Sequence, residues 1–310
     1  QDWLKTYTGG FSVSSYQERS NGLDFQFGKN IGINNILFGM TVSHDYYRRV
    51  NPSARTRASI SRNMFTSYLQ DKLKIGDNFE ITPGLRYIHS DDYTVKNGGG
   101  KDISPSDSSV SHLSGMLSTR YKLDDTLSLY GSWAQVFRAK RVTDYDATLE
   151  PLDDEKGDAW TLGLRKDLSD KTSVAVHYDW TRMSNAIATL PVFVDGEIKN
   201  TAVNAKEDKQ SFNLTLDHQF DEHFTLSASY SHMKDKWMAK NGWVLDPSWG
   251  YKNPADINTA INSLRPQNHY SLNLSYENGK LYTGLLTNWY TGCSDYAFTN
   301  NRFLVLDWNM

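Results

Sequence analysis

The feature that most constrains this chain is a period of two. Val174, Val176, Tyr178 and Trp180 alternate with Ala175, His177, Asp179 and Thr181, and Phe212, Leu214 and Leu216 with Ser211, Asn213, Thr215 and Asp217. Tyr270, Leu272, Leu274 and Tyr276 alternate in the same way with Ser271, Asn273 and Ser275. Successive side chains of a strand point to opposite faces, so each segment has one apolar and one polar face. The polar positions are small and hydroxylic, which suits a sheet with water on one side better than a second core. About fourteen such segments can be marked, at 10–17, 23–29, 35–46, 60–75, 79–90, 112–123, 127–137, 157–167, 171–183, 207–220, 224–233, 268–277, 280–290 and 303–310. Many run for about ten residues, the length a tilted strand needs to cross a bilayer.

The connections alternate in length. Short turns rich in Gly, Asp and Asn fall at 29–34, 75–78, 122–126, 168–171, 220–223 and 277–280; these residues tolerate turn dihedrals. Between them lie polar links at 47–59, 91–111, 138–156, 184–206, 234–267 and 291–302. Because every second link is long, all the long ones emerge on one edge of an up-and-down sheet. The expected fold is therefore all-β, a transmembrane antiparallel up-and-down β-barrel with short turns at one rim and long loops at the other. The 18 Tyr, 13 Phe and 9 Trp gather near the ends of these segments. A girdle at the membrane boundary places them there, as does plain strand propensity.

Composition removes the other classes. A net charge of −3 over 310 residues argues against a nucleic-acid partner held by bulk charge. No run of about 18 apolar residues supplies a membrane-spanning helix. The single cysteine, Cys293, excludes an intrachain disulfide framework and a cysteine-rich metal centre. No basic n-region followed by an apolar stretch marks a signal peptide after Gln1.

Several stretches resemble the barrel of TonB-dependent outer-membrane receptors. Leu127-Ser-Leu-Tyr-Gly-Ser-Trp-Ala-Gln-Val-Phe-Arg-Ala139 is similar to that family's "sLYgsyaqgFRAP" strand, and Leu152-Asp-Asp-Glu-Lys-Gly-Asp-Ala-Trp-Thr-Leu-Gly-Leu-Arg165 to its "LkPEksknyElGlr" segment. Ser173–Ile187 resembles the strand that follows, and Ser67–Ile75 with Ile81–Tyr87 the "y.qdkwkl…ltpGlRyd" hairpin. Two positions depart from the pattern: Lys140 replaces the Pro after Phe-Arg-Ala, and Asp154 the Pro before Glu155. The resemblance implies a 22-strand type of barrel with a plugged lumen. Against that plan the chain is expected to be a partial barrel, 1–310 forming about fourteen strands, without the plug domain, its TonB box or the last strands. The resemblance further implies energised uptake of a scarce nutrient, with a ferric siderophore or similar metal chelate as the leading cargo. The partners it implies are a TonB-type periplasmic energy-coupling protein and the lipid and lipopolysaccharide of a bacterial outer membrane. No catalytic residue, cofactor or metal site is expected.

The candidate ligand-binding residues lie in the long links. Arg138, Lys140, Arg141 and Tyr145 set three cations beside Phe137, a group able to grip an anionic chelate or a lipopolysaccharide phosphate; a solvated loop base has the same composition. The link 234–267 carries Trp243, Trp249 and Tyr251 among prolines. Aromatic rings in an exposed loop suit a ligand contact or a lid, and equally a loop that packs on itself. No His lies between Phe137 and Glu155, where heme-uptake members of the family usually have one. His177 and Asp179 share a polar face and suit the lining of a wet lumen. Asp91-Asp92 and Asp153-Asp-Glu155 lack the spaced oxygen ligands of a Ca²⁺ loop. No G-x-S-x-G, H-E-x-x-H or phosphate loop occurs. The rival readings are a passive porin or adhesin-type barrel and an outer-membrane hydrolase.

Overall fold

The structure, a computed structural model, describes residues 15–51, 56–104, 106, 108–140, 152–194, 197–239, 265–293 and 301–310. All regular structure among them is strand: β1 (Ser15–Ile31), β2 (Asn34–Asn51), β3 (Thr56–Ile75), β4 (Phe79–Ser90), β5 (Thr94–Lys96), β6 (Val110–Lys122), β7 (Leu127–Arg138), β8 (Glu155–Ser169), β9 (Thr172–Val194), β10 (Glu197–Gln219), β11 (Phe224–Ala239), β12 (Asn268–Glu277), β13 (Tyr282–Thr291) and β14 (Arg302–Asn309). The described residues fall into two compact units, one within 1–73 and 82–115, the other within 74–81 and 116–310. In each unit, sequence neighbours are hydrogen-bonded neighbours, and the registered pairs are antiparallel. The exception is β5, which leaves the path to pair with Ser59–Ser61 of β3.

The count of fourteen agrees with the expectation, but its make-up differs. The segments expected at 10–17 and 23–29 are not separate within the described residues, where 15–31 is one strand. The fourteenth element is β5, inside the link expected at 91–111. Two other links expected to be long are mostly strand. β2 and β3 continue to Asn51 and Thr56, and β9 and β10 continue to Val194 and Glu197. In these extensions polar residues no longer alternate regularly with apolar ones, as at Asn185-Ala-Ile-Ala188, so the period-two signal fades while backbone pairing goes on.

Three of the short turns share one device. Asp124 accepts hydrogen bonds from the backbone N–H groups of Thr126 (2.7 Å) and Leu127 (2.8 Å). Asp221 does the same for His223 and Phe224, both at 2.8 Å, and Asn278 for Lys280 and Leu281. In each case a side-chain oxygen reaches the N–H groups two and three residues on and closes the turn. The Thr126 hydroxyl and N–H hold the Asp124 carboxyl at about 2, well below the usual range.

Register sorts the side chains onto two faces. In the second unit Leu129, Leu164, Val176, Leu214 and Tyr230 are successive cross-strand partners, as are Gly131, Leu162, Tyr178 and Phe212 one step along. In the first unit Leu23, Val42 and Phe65 form a similar row. These apolar rows are not a core: Leu23 is 81% exposed and Leu162 70%. At about 25 cal/mol per Å², leaving such rows in water would forfeit several kcal/mol per strand, so this face requires an apolar solvent. That is the lipid-facing wall of a membrane barrel. Buried apolar side chains gather instead toward the long connections: Leu152, Met183, Ala186, Val203, Ala205 and Trp237 in the second unit, Tyr93 and Val95 in the first.

Candidate functional site

The polar face carries the candidate chemistry. In the second unit its hub is Asp179 on β9. The carboxylate accepts from Thr161 Oγ1 (2.7 Å), Asn213 Nδ2 (2.9 Å) and Ser211 Oγ (3.2 Å), with His177 Nε2 at 3.4 Å. Asn213 in turn accepts from Ser231 Oγ at 2.7 Å. The network ties β8, β9, β10 and β11 together. Nearer the short turns the second unit holds a separate hollow of about 720 Å³, lined by Arg165, Asp217, Ser227 and Asn273 among others.

Two tyrosines cross this face on glycine. Tyr68 pairs with Gly39 and Tyr130 with Gly163, and a Cβ built on either glycine would lie 2.3 Å from the partner ring. The absent side chain lets each ring lie flat across the neighbouring strand. The Tyr68 hydroxyl thereby accepts from Gln26 on β1, two strands away, at 3.0 Å.

The first unit holds a smaller hollow of about 360 Å³ near the long connections, lined in part by Asp45, Tyr47, Ile60, Arg62 and Tyr93. The Arg62 guanidinium lies 4.6 Å above the Tyr93 ring, a cation–π contact. One of its terminal nitrogens, Nη1, is buried without a hydrogen-bond partner. A buried donor without an acceptor is costly, and an anionic oxygen entering the hollow would satisfy it. The strand β5 positions Tyr93, and Ser108 and Ser109 donate backbone N–H groups to Asp92 to hold the returning chain. Sequence reading missed Arg62 because its neighbour in the site, Tyr93, is 31 residues away in a stretch read as loop.

Of the residues singled out from the sequence, Arg138 sits at the end of β7 and pairs with Glu155, its cross-strand partner. Glu155 also accepts from the Ile187 N–H at 2.7 Å. Arg138 thus helps fix the start of β8 to the β9 extension. Arg141, Tyr145, Trp243, Trp249 and Tyr251 lie outside the described residues. Asp91 is engaged by Asn63 (3.0 Å) and His89 (3.3 Å). Among the described residues no group of three or more His, Cys, Asp or Glu could hold a metal ion. Burial pushes the Cys293 thiol up, away from the thiolate a nucleophile needs.

A second charged cluster lies above the apolar band. Glu207 on β10 is driven up to about 7, first by burial and then by the Asp235 carboxylate on β11. Asp235 is ion-paired with Arg265 at 2.5 Å.

The wall, with one face toward lipid and the other polar, has the layout of an outer-membrane barrel, and the comparison with known families gives it a name. Residues 2–308 match the family described as "TonB dependent receptor-like, beta-barrel". The chain belongs to that family. A 110-residue stretch is 26% identical to the ferric-pyoverdine BN7/BN8 receptor of Pseudomonas putida, covering 35% of this chain and 14% of that protein. Among solved structures, the ferric yersiniabactin uptake receptor FyuA from Yersinia pestis superposes with a TM-score of 0.65 at 14% identity, over 97% of this chain and 48% of that one. The copper transporter OprC gives a TM-score of 0.68 at 12% identity, over 95% and 48%. At these identities the structures share the fold, and this chain spans less than half the length of each. Members of this TonB-dependent receptor family are transport receptors, not enzymes.

Proposed function

We propose that this TonB-dependent receptor-family protein resides in the bacterial outer membrane and drives energised uptake of a scarce nutrient, a ferric siderophore or similar metal chelate. The observation that carries the reading is the family match over residues 2–308. The sorted wall supports it: its apolar rows need lipid, and its polar rows suit a wet passage. We take the strands as part of a larger barrel wall: among the described residues β1 and β14 each have one hydrogen-bonded neighbour, and an unpaired edge is not viable in lipid. The cargo class is favoured by the partial identity to a ferric-pyoverdine receptor and by Arg62, whose unsatisfied nitrogen suits the anionic oxygens of a chelate. A periplasmic energy-coupling protein of the TonB type supplies the driving force. The Asp179 network then works as lumen lining, not as catalytic apparatus.

The test is uptake of a panel of radiolabelled metal chelates by metal-starved cells producing the full-length protein, with and without the energy-coupling protein. Saturable uptake that disappears with the coupling protein is expected. Uptake that persists without it indicates a passive pore and defeats the proposal. In the same cells Arg62→Ala should weaken chelate binding by about 1.5–3 kcal/mol, the usual range for a hydrogen bond to a charged group.

A further inference from the structure

We infer that the cargo is a chelate carrying flat aryl rings, and that one such ring is seated against His269, as the fourth member of a ring stack on the polar face of the second unit. The inference rests on the uptake reading above and specifies its cargo.

The stack has one ring per strand. His269 on β12, Tyr290 on β13 and Phe303 on β14 are successive cross-strand partners. The His269 and Tyr290 rings lie 4.4 Å apart and 2° from parallel, and the Tyr290 and Phe303 rings 4.6 Å apart and 22° from parallel. These separations match the spacing of strands, about 4.8 Å, so the rings stand upright on the wall, face to face. Asn288 Oδ1, which can only accept, lies 2.8 Å from His269 Nε2. Nε2 therefore carries a proton, and the bond fixes the plane of the imidazole. His269 is the second residue of β12, Tyr290 the last but one of β13 and Phe303 the second of β14. The stack thus stands at the end of the wall that carries the long connections, where a captured cargo enters.

Its face sets it apart from the other ring stack on these strands. Tyr230, Tyr270 and Trp289 also stack from strand to strand, but they continue the row of Leu129, Leu164, Val176 and Leu214, on the side given to lipid. His269 continues the row of Gly163, His177, Asn213 and Ser231, on the side of the Asp179 network. Aromatic surface on a wet face forgoes the gain of burial until an apolar partner covers it.

The place for that partner lies beside His269, away from Tyr290. There the row has Ser231 and then Asn213, two short side chains, before it reaches His177. From β12 to β9 is three strand spacings, about 14 Å, so a trough some two strands wide separates the two histidines. A ring standing over Ser231 would meet the free face of His269 at the spacing Tyr290 keeps on the other. The floor is polar: the Ser231 hydroxyl gives its proton to Asn213 Oδ1 at 2.7 Å and keeps its lone pairs for a donor. A flat ring bearing oxygen substituents suits both wall and floor. An aliphatic chelate could use the floor but not the ring face.

The test is calorimetric titration of the purified full-length protein in detergent with two probes, the iron(III) complexes of catechol and of acetohydroxamate. The wild type should bind the aryl complex about tenfold more tightly, the upper worth of one ring pair. His269→Ala should remove that preference, and His269→Phe, which keeps a ring face, should retain most of it. Ser231→Phe fills the place with the protein's own ring and should abolish the preference with the three native rings intact. Equal binding of the two complexes by the wild type, equal loss in His269→Ala and His269→Phe, or an unchanged preference in Ser231→Phe overturns the inference. Binding of neither complex overturns it as well, whereas only an absence of uptake in the cell assay above defeats the reading on which it rests.

Discussion

The two ends of the same wall are built differently. At the short-turn end the hairpins close within a few residues, through one Asx-type device repeated at Asp124, Asp221 and Asn278. At the other end β9 and β10 continue to 23 residues each, more than twice the 9–11 needed to cross a bilayer. There they gather a small core around Met183, Ala186, Val203, Ala205 and Trp237. The membrane stabilises the middle of each strand, and only the projecting end has to build an interior of its own. The difference teaches that burial in this protein reports distance from the membrane as much as depth in a fold.

The comparison can be broken most decisively in the middle of the wall. Leu214→Arg or Leu272→Arg puts a charge on the lipid face and should cost about 2–4 kcal/mol of insertion near the midplane, while Asn273→Arg on the polar face should cost far less. Urea titration of the full-length protein in lipid vesicles measures both, and equal costs on the two faces would contradict the sorting described. Next in size is Gly163→Val. Its new side chain meets the Tyr130 ring at once, and overpacking of this kind costs about 1–3 kcal/mol; pairing it with Tyr130→Ala should recover part of the loss.

The projecting end responds to pH in one direction and the turn end in the other. The Glu207 value is raised, so the stability it permits is full below about 4.5 and falls as pH climbs through about 7. Glu207→Gln should remove that decline, read by hydrogen exchange around Trp237. The Asp124 value is lowered, so its contribution is present above about 3.8 and fades as pH falls toward 2. Asp124→Asn should abolish that acid dependence, the smallest of these effects, visible as local exchange at the Leu127 amide.

The sequence made the wall legible for the reason that makes it stable. Where one face meets lipid and the other water, residues must alternate, as at Val174–Thr181 or Tyr270–Tyr276, and β12 was bounded to the residue. Above the band both faces meet water or protein, alternation is not enforced, and the extensions of β2, β3, β9 and β10 read as loops. The turns were legible because Gly, Asp and Asn have few other reasons to cluster. The first-unit hollow was not, since Arg62 and Tyr93 meet through the pairing of β5 with β3, which no local pattern announces.

The rings lying on Gly39 and Gly163 also bear on how strands find their places. A strand that slid by one residue would present a Cβ to each ring and could not close against it. In a wall built of many similar hairpins, these two bare positions favour the native register over near-miss alignments.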